Sequence, residues 1–158
     1  MARVSRPSPW MIAAALAALA CPGPRGHEQG EGRYAFSTVQ VLTDPCGLLP
    51  AAGLWGGTLV ESGNYVRLDY ELQQMWLVGY YRNSLEEFYL DGTATDVVVD
   101  VGGTSCRLDQ LRVHADAVRR SPERFDGTLT VEYDVAPESP FACQCRMSVI
   151  YQADLQAP

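Results

Sequence analysis

Four cysteines in the body of the chain carry the first chemical signal. Cys143 and Cys145 form a Cys-x-Cys pair, with Cys46 and Cys106 far upstream. Such a set can build structural disulfides, exchange disulfides with other thiols, or hold zinc as a tetrathiolate. Strand geometry separates these chemistries. Side chains at i and i+2 of an extended strand point the same way, with Cα atoms about 6.5–7 Å apart, which is poor geometry for a mutual bridge. The spacing therefore predicts that Cys143 and Cys145 each take a different partner, chosen from Cys46 and Cys106. A strained Cys143–Cys145 bridge is the redox-active alternative. Zinc lacks the paired Cys-x2-Cys knuckles of structural sites.

Other residue types with catalytic or ligating potential are sparse. The only histidines are His27 and His114. His27 lies in a Gly/Pro-rich stretch, and His114 alternates with Arg112 and Asp116 on the polar side of a strand, so no imidazole is positioned for a Ser-His-Asp set. Glu86 and Glu87 are adjacent; on a strand they would face opposite ways and could not share a glycosidic bond. Asp91, Asp96 and Asp100 would suggest calcium, but Asp96 and Asp100 read as the solvent face of one strand. Gly102-Gly103 precedes no helix and makes no phosphate loop. The expectation is a non-catalytic protein without metal or cofactor.

Aromatic residues are the best binding candidates. Trp76, Tyr80, Tyr81, Phe88 and Tyr89 crowd one segment, and Trp55 precedes it. Aromatic side chains on both faces of a strand mark either a central core strand or a recognition surface.

The elements that must position these residues have a period of two. Leu129, Val131, Tyr133 and Val135 alternate with Thr130, Glu132 and Asp134. Cys143, Cys145, Met147, Val149 and Tyr151 alternate with Gln144, Arg146 and Ser148. One wet face per strand predicts antiparallel pairing, and Ala136–Pro140 reads as the connecting loop. Upstream, strands are predicted at 55–61, 65–72, 75–82, 87–90, 93–101 and 106–117. The predicted turns are Ser62-Gly63-Asn64, Asp91-Gly92 and Gly102-Gly103, with a charged loop over Arg119–Arg124. The segment Met75–Arg82 is apolar on both faces. Residues 44–53 read as irregular, and Leu155–Pro158 as frayed.

About eight short strands without a convincing helix predict an all-β domain, mostly hairpin-connected. A β-sandwich leads, and an up-and-down barrel is the alternative. The Gly53-Leu54-Trp55 sequence is similar to the Gly-x-Trp that opens the first strand of the calycin barrels. That resemblance implies a carrier of a small hydrophobic ligand.

Residues 1–20 have the three parts of an export signal. Arg3 and Arg6 lie in a segment without acids, Trp10–Leu19 is apolar, and Ala18-Leu19-Ala20 supplies small residues for cleavage. About ten apolar residues are too few to span a bilayer, which takes nearer twenty. Ala18-Leu19-Ala20-Cys21 resembles a bacterial lipobox, with Ala18 and Leu19 in the reverse of the commoner order, and Pro22 after the cysteine resembles sorting to the outer membrane. The resemblance implies that Cys21 is lipidated and holds the protein on the cell envelope. An anchor of this kind also leaves an even number of cysteines for disulfides.

Of the 12 basic residues, Arg3 and Arg6 leave with the leader, so 10 face 19 acids, a net −9 over residues 21–158, and no lysine is present. With no basic cluster, nucleic acid is not an expected partner. Residues 22–33 read as a flexible tether reaching on the order of 20 Å, and 34–158 as a single domain. The expected role is an envelope-anchored interaction or structural module whose partners are the membrane, through the lipid, and an envelope protein or a small hydrophobic ligand. The third possibility is a thiol-disulfide protein using Cys143 and Cys145.

Overall fold

In the computed structural model, residues 29–82 and 86–157 are described. The leader, Cys21 and His27 lie outside the described residues. Eight antiparallel strands follow in chain order: β1 (Gly32–Thr43), β2 (Gly57–Ser62), β3 (Tyr65–Tyr70), β4 (Met75–Tyr80), β5 (Glu87–Val101), β6 (Thr104–Ser121), β7 (Arg124–Val135) and β8 (Arg146–Leu155). Every strand pairs with its sequence neighbour. β1 also pairs with β8, from Tyr34↔Leu155 to Thr43↔Ser148, which closes the sheet into a ring. The all-β, neighbour-to-neighbour architecture is as expected, and of the two arrangements the barrel forms. Closure leaves few strand edges exposed to other chains.

The ring has a long wall and a short one. β5, β6 and β7 run 12 to 18 residues, whereas β2, β3 and β4 run six each. β1 pairs with β2 only from Gly32 to Tyr34. The segment between β1 and β2 must therefore run back along the short wall. It does so with Leu48, Leu49 and Trp55 packed against the core and Leu54 buried in it. Both carboxylate oxygens of Asp44 brace its first turn, accepting from Leu48 N–H at 2.7 Å and Leu49 N–H at 3.0 Å.

The interior is built from the inward half of each alternation. Phe125 is its hub, with ring centroids of Tyr34, Phe88, Phe36 and Tyr151 at 4.9, 5.2, 5.8 and 6.2 Å. All four rings are buried. Large tilted and edge-on rings fill the ring of strands with side chains, as small barrels require.

Several sequence-predicted boundaries move, each for a physical reason. Asp91-Gly92 is not a turn, because β5 runs straight through it. Gly92 is there because a Cβ would stand 2.2 Å from the Leu77 side chain and 2.9 Å from the Trp76 carbonyl oxygen, so only glycine lets β4 and β5 approach. Arg119–Arg124 is not a charged loop. β6 continues to Ser121 and β7 begins at Arg124, and the arginines fit a strand by facing acids across the surface, as Arg120 with Asp126 at 2.8 Å and Arg124 with Asp154 at 2.6 Å.

Cys143 sits in a 3-10 turn, Phe141–Cys143, and β8 starts after Cys145, so the pair does not share a strand. Leu155 is not frayed: its N–H donates to the Glu123 carbonyl at 2.8 Å, and Gln156 N–H donates to the Arg33 carbonyl at 2.8 Å. The domain also begins upstream of Tyr34. The Gln29 side chain is buried and donates to the Tyr34 hydroxyl at 2.7 Å and the Pro122 carbonyl at 2.9 Å. Finally, β1 has no counterpart among the predicted strands, and Gly53-Leu54-Trp55 precedes β2 rather than the first strand.

A face switch in the longest hairpin keeps its apolar residues inside. In β5 the inward positions are even-numbered at Phe88 and Leu90, then odd-numbered at Val97, Val99 and Val101. The change falls at Asp96, whose φ is 54°. Opposite, β6 changes from Cys106 and Leu108 to Leu111 and Val113 around Asp109, where it bulges against β7. Both strands switch together, so their pairing register is unbroken. The left-handed backbone at Asp96 is tolerated more readily by aspartate than by most residues. Arg107 locks its carboxylate through Nη2 and Nε at 2.7 and 2.9 Å.

Candidate functional site

The four body cysteines form two bridges, Cys46–Cys145 and Cys106–Cys143, with Cα separations of 5.9 and 5.6 Å. Cys143 and Cys145 thus take different partners, as their spacing predicts, and neither pairs with the other. All four sulfurs are committed to these bridges, leaving none of them to ligate zinc as a thiolate. The bridges tie the loop before β8 to the β1–β2 crossing and to the start of β6, all at one end of the barrel.

The aromatic candidates divide between three environments. Tyr81 and Phe88 face inward, buried, their rings 5.3 Å apart. The Tyr81 hydroxyl donates to Glu61. Trp55 packs edge-on to Tyr70 at 6.3 Å at the rim of the core. Trp76, Tyr80 and Tyr89 face outward. In β4, Trp76, Val78 and Tyr80 are 66, 38 and 49% exposed, which makes an apolar stripe on the outside of the barrel. The two apolar faces of Met75–Arg82 are therefore one core face and one solvent face.

Neighbouring strands extend this stripe. Tyr65 on β3 and Tyr89 on β5 flank Tyr80 at 5.7 and 6.4 Å. Guanidinium groups cover two of the rings, Arg67 over Trp76 at 5.5 Å and Arg82 over Tyr89 at 5.6 Å, each a cation–π contact. Tyr65, Arg67 and Arg82 were not legible as site residues, because only the cross-strand register brings them beside Trp76 and Tyr89.

Beyond the stripe lies an outward depression of about 350 Å³ on β5–β8, its polar lining drawn from Asp91, Thr93, Arg112, His114, Thr130, Glu132 and Arg146. His114 is held between two carboxylates: its Nδ1 is 2.6 Å from Asp91 and its Nε2 is 3.3 Å from Asp116. Arg82 pairs with the same Asp116. Partial burial works against the imidazolium, but the hydrogen bond and charge of Asp91, helped by Asp116, outweigh it and raise the His114 pKa. Glu132 pairs with Arg146 at 3.2 Å.

The other candidate acids are engaged elsewhere. Asp96 holds Arg107, and Asp100 accepts the Gly103 N–H at 2.9 Å in the β5–β6 turn. Glu87 opens β5 and is exposed. Among the described residues, no group of three or more His, Cys, Asp or Glu side chains is arranged to hold a metal ion.

These features define a class: a small, disulfide-braced antiparallel β-barrel with a filled interior and an aromatic outer face. No protein-family model matches the chain, and neither a curated protein nor a solved structure is significantly similar to it.

Proposed function

We propose that this protein is a lipid-anchored component of the bacterial cell envelope, exported by residues 1–20 and attached through Cys21 to the outer membrane. It acts there as a non-catalytic interaction module, and the surface it uses is the outer face of β3–β5. The observation that carries this reading is the Trp76–Val78–Tyr80 stripe, three large residues exposed together on a barrel whose interior is already packed. Soluble domains avoid such stripes unless something covers them. The two disulfides support an oxidising compartment.

A carrier of a small hydrophobic ligand is the second reading, favoured by the closed eight-strand ring. The ring cluster around Phe125 occupies the space such a ligand would use, and so supports the interaction module over the carrier.

The test is native pull-down from detergent-solubilised envelopes, comparing wild type with Trp76→Ala/Tyr80→Ala and analysing bound lipid by mass spectrometry. A captured partner lost in the double variant, together with a diacylated Cys21 peptide, supports the proposal. An equal capture by both proteins overturns the role of this face. A stoichiometric apolar ligand favours the carrier instead.

A further inference from the structure

The depression on β5–β8 is balanced in charge although the chain is strongly acidic. Among its lining carboxylates and guanidinium groups, Asp91 and Glu132 offset Arg112 and Arg146. Charges of both signs set side by side make a poor docking site for a polyanion or a polycation. The depression suits a neutral ligand that makes many hydrogen bonds. Carboxylates and guanidinium groups both present paired acceptors or donors, a match for neighbouring hydroxyls. Arg112 stands 3.9 Å from Glu132 and 4.0 Å from Asp134, beyond hydrogen-bond distance of either, so its donors remain for a ligand.

Trp76 supplies the complementary half. Continued by two residues, the antiparallel Val78↔Asp91 register sets Trp76 of β4 opposite Thr93 of β5, which lines the depression. Its ring is two-thirds exposed and held in place by Arg67. A flat apolar ring beside paired hydrogen-bonding groups matches a pyranose, which has an apolar C–H face and a rim of hydroxyls. Tyr80 is about 13 Å further along β4, a span that accommodates an oligosaccharide rather than one sugar.

We infer that this face binds a neutral glycan, with Trp76 as the stacking platform and Arg112, Asp91 and Glu132 as hydroxyl partners. The inference rests on the reading of the outer face as the binding surface and names its ligand class.

The experiment is isothermal titration calorimetry of the exported full-length protein in detergent, disulfides intact, with tri-N-acetylglucosamine and with maltotriose. Saturable binding of at least one sugar is expected, weakened up to about tenfold by Trp76→Ala and weakened also by Arg112→Ala. Circular dichroism checks that both variants fold, and both altered residues are exposed. Absence of saturable heat with either sugar overturns the inference, as does binding that survives both substitutions unchanged. If the pull-down still captures a Trp76-dependent protein while neither sugar binds, the glycan inference falls and the interaction module stands.

Discussion

His114 on β6 sits across the strand pair from Asp91 on β5, with Nδ1 and Oδ1 2.6 Å apart, and Asp116 closes on its other ring nitrogen. The register of β5 with β6 places Asp91 directly opposite His114. This clamp favours the charged form of His114 and raises its pKa against the opposing effect of partial burial.

The folded-state pKa of His114 is raised above its unfolded value of about 6.5. Its contribution to stability is therefore fully present below that value and is lost as pH rises through the folded pKa. Solvent exposure keeps the contribution small. An NMR titration should find the His114 midpoint above that of an unstructured histidine, and Asp91→Asn should bring it down. A midpoint unmoved by Asp91→Asn would contradict the clamp.

Removing Cys46–Cys145 should cost more stability than removing Cys106–Cys143. The bridges span 99 and 37 residues, and chain entropy assigns them at most about 4.7 and about 3.8 kcal/mol. Guanidinium unfolding of Cys46→Ser/Cys145→Ser and Cys106→Ser/Cys143→Ser proteins measures both. The reverse ranking would mean that local native contacts, not loop length, decide their effects.

Phe125→Ala should destabilise by about 3–5 kcal/mol, because the ring is fully buried and touches four other rings. Trp76→Ala, on the outside, should stay within about 0.5 kcal/mol. Thermal denaturation of the two variants under one buffer reads the contrast. Comparable losses would place Trp76 in the core.

Gly127→Ala should be far more damaging than Gly47→Ala. A Cβ at 127 would lie 1.8 Å from the Asp116 carbonyl oxygen, so β6 and β7 must separate. Gly47 has open space around it and a φ of 64°, so its cost is the conformational one of about 1 kcal/mol. Equilibrium unfolding of both variants tests the order.

Much of the barrel was legible because alternation is a local property. Leu129, Val131 and Tyr133 face inward as their spacing predicts, and so do Val66, Leu68 and Tyr70. Cys143 and Cys145 take different partners as expected, but the premise of that expectation, a shared strand, does not hold: Cys143 lies in a 3-10 turn and β8 begins after Cys145. Boundaries were harder to read. Asp91-Gly92 looks like a turn, and only the approach of Leu77 reveals why glycine is needed inside a strand. Arg119–Arg124 looks like a loop, since outward arginines on a strand cannot be told from loop charges until their cross-strand acids are in place.

The outer face shows the same division. Trp76 and Tyr80 are marked by type and spacing, but nothing local says which side of β4 meets solvent. By itself the sequence determined the strand period and the antiparallel class. The tertiary structure alone decided that β1 and β8 pair to close a ring, that Cys46 meets Cys145, and that Asp91 meets His114. Each of those contacts joins residues from different strands, and their meeting depends on register and closure, which belong to the whole sheet.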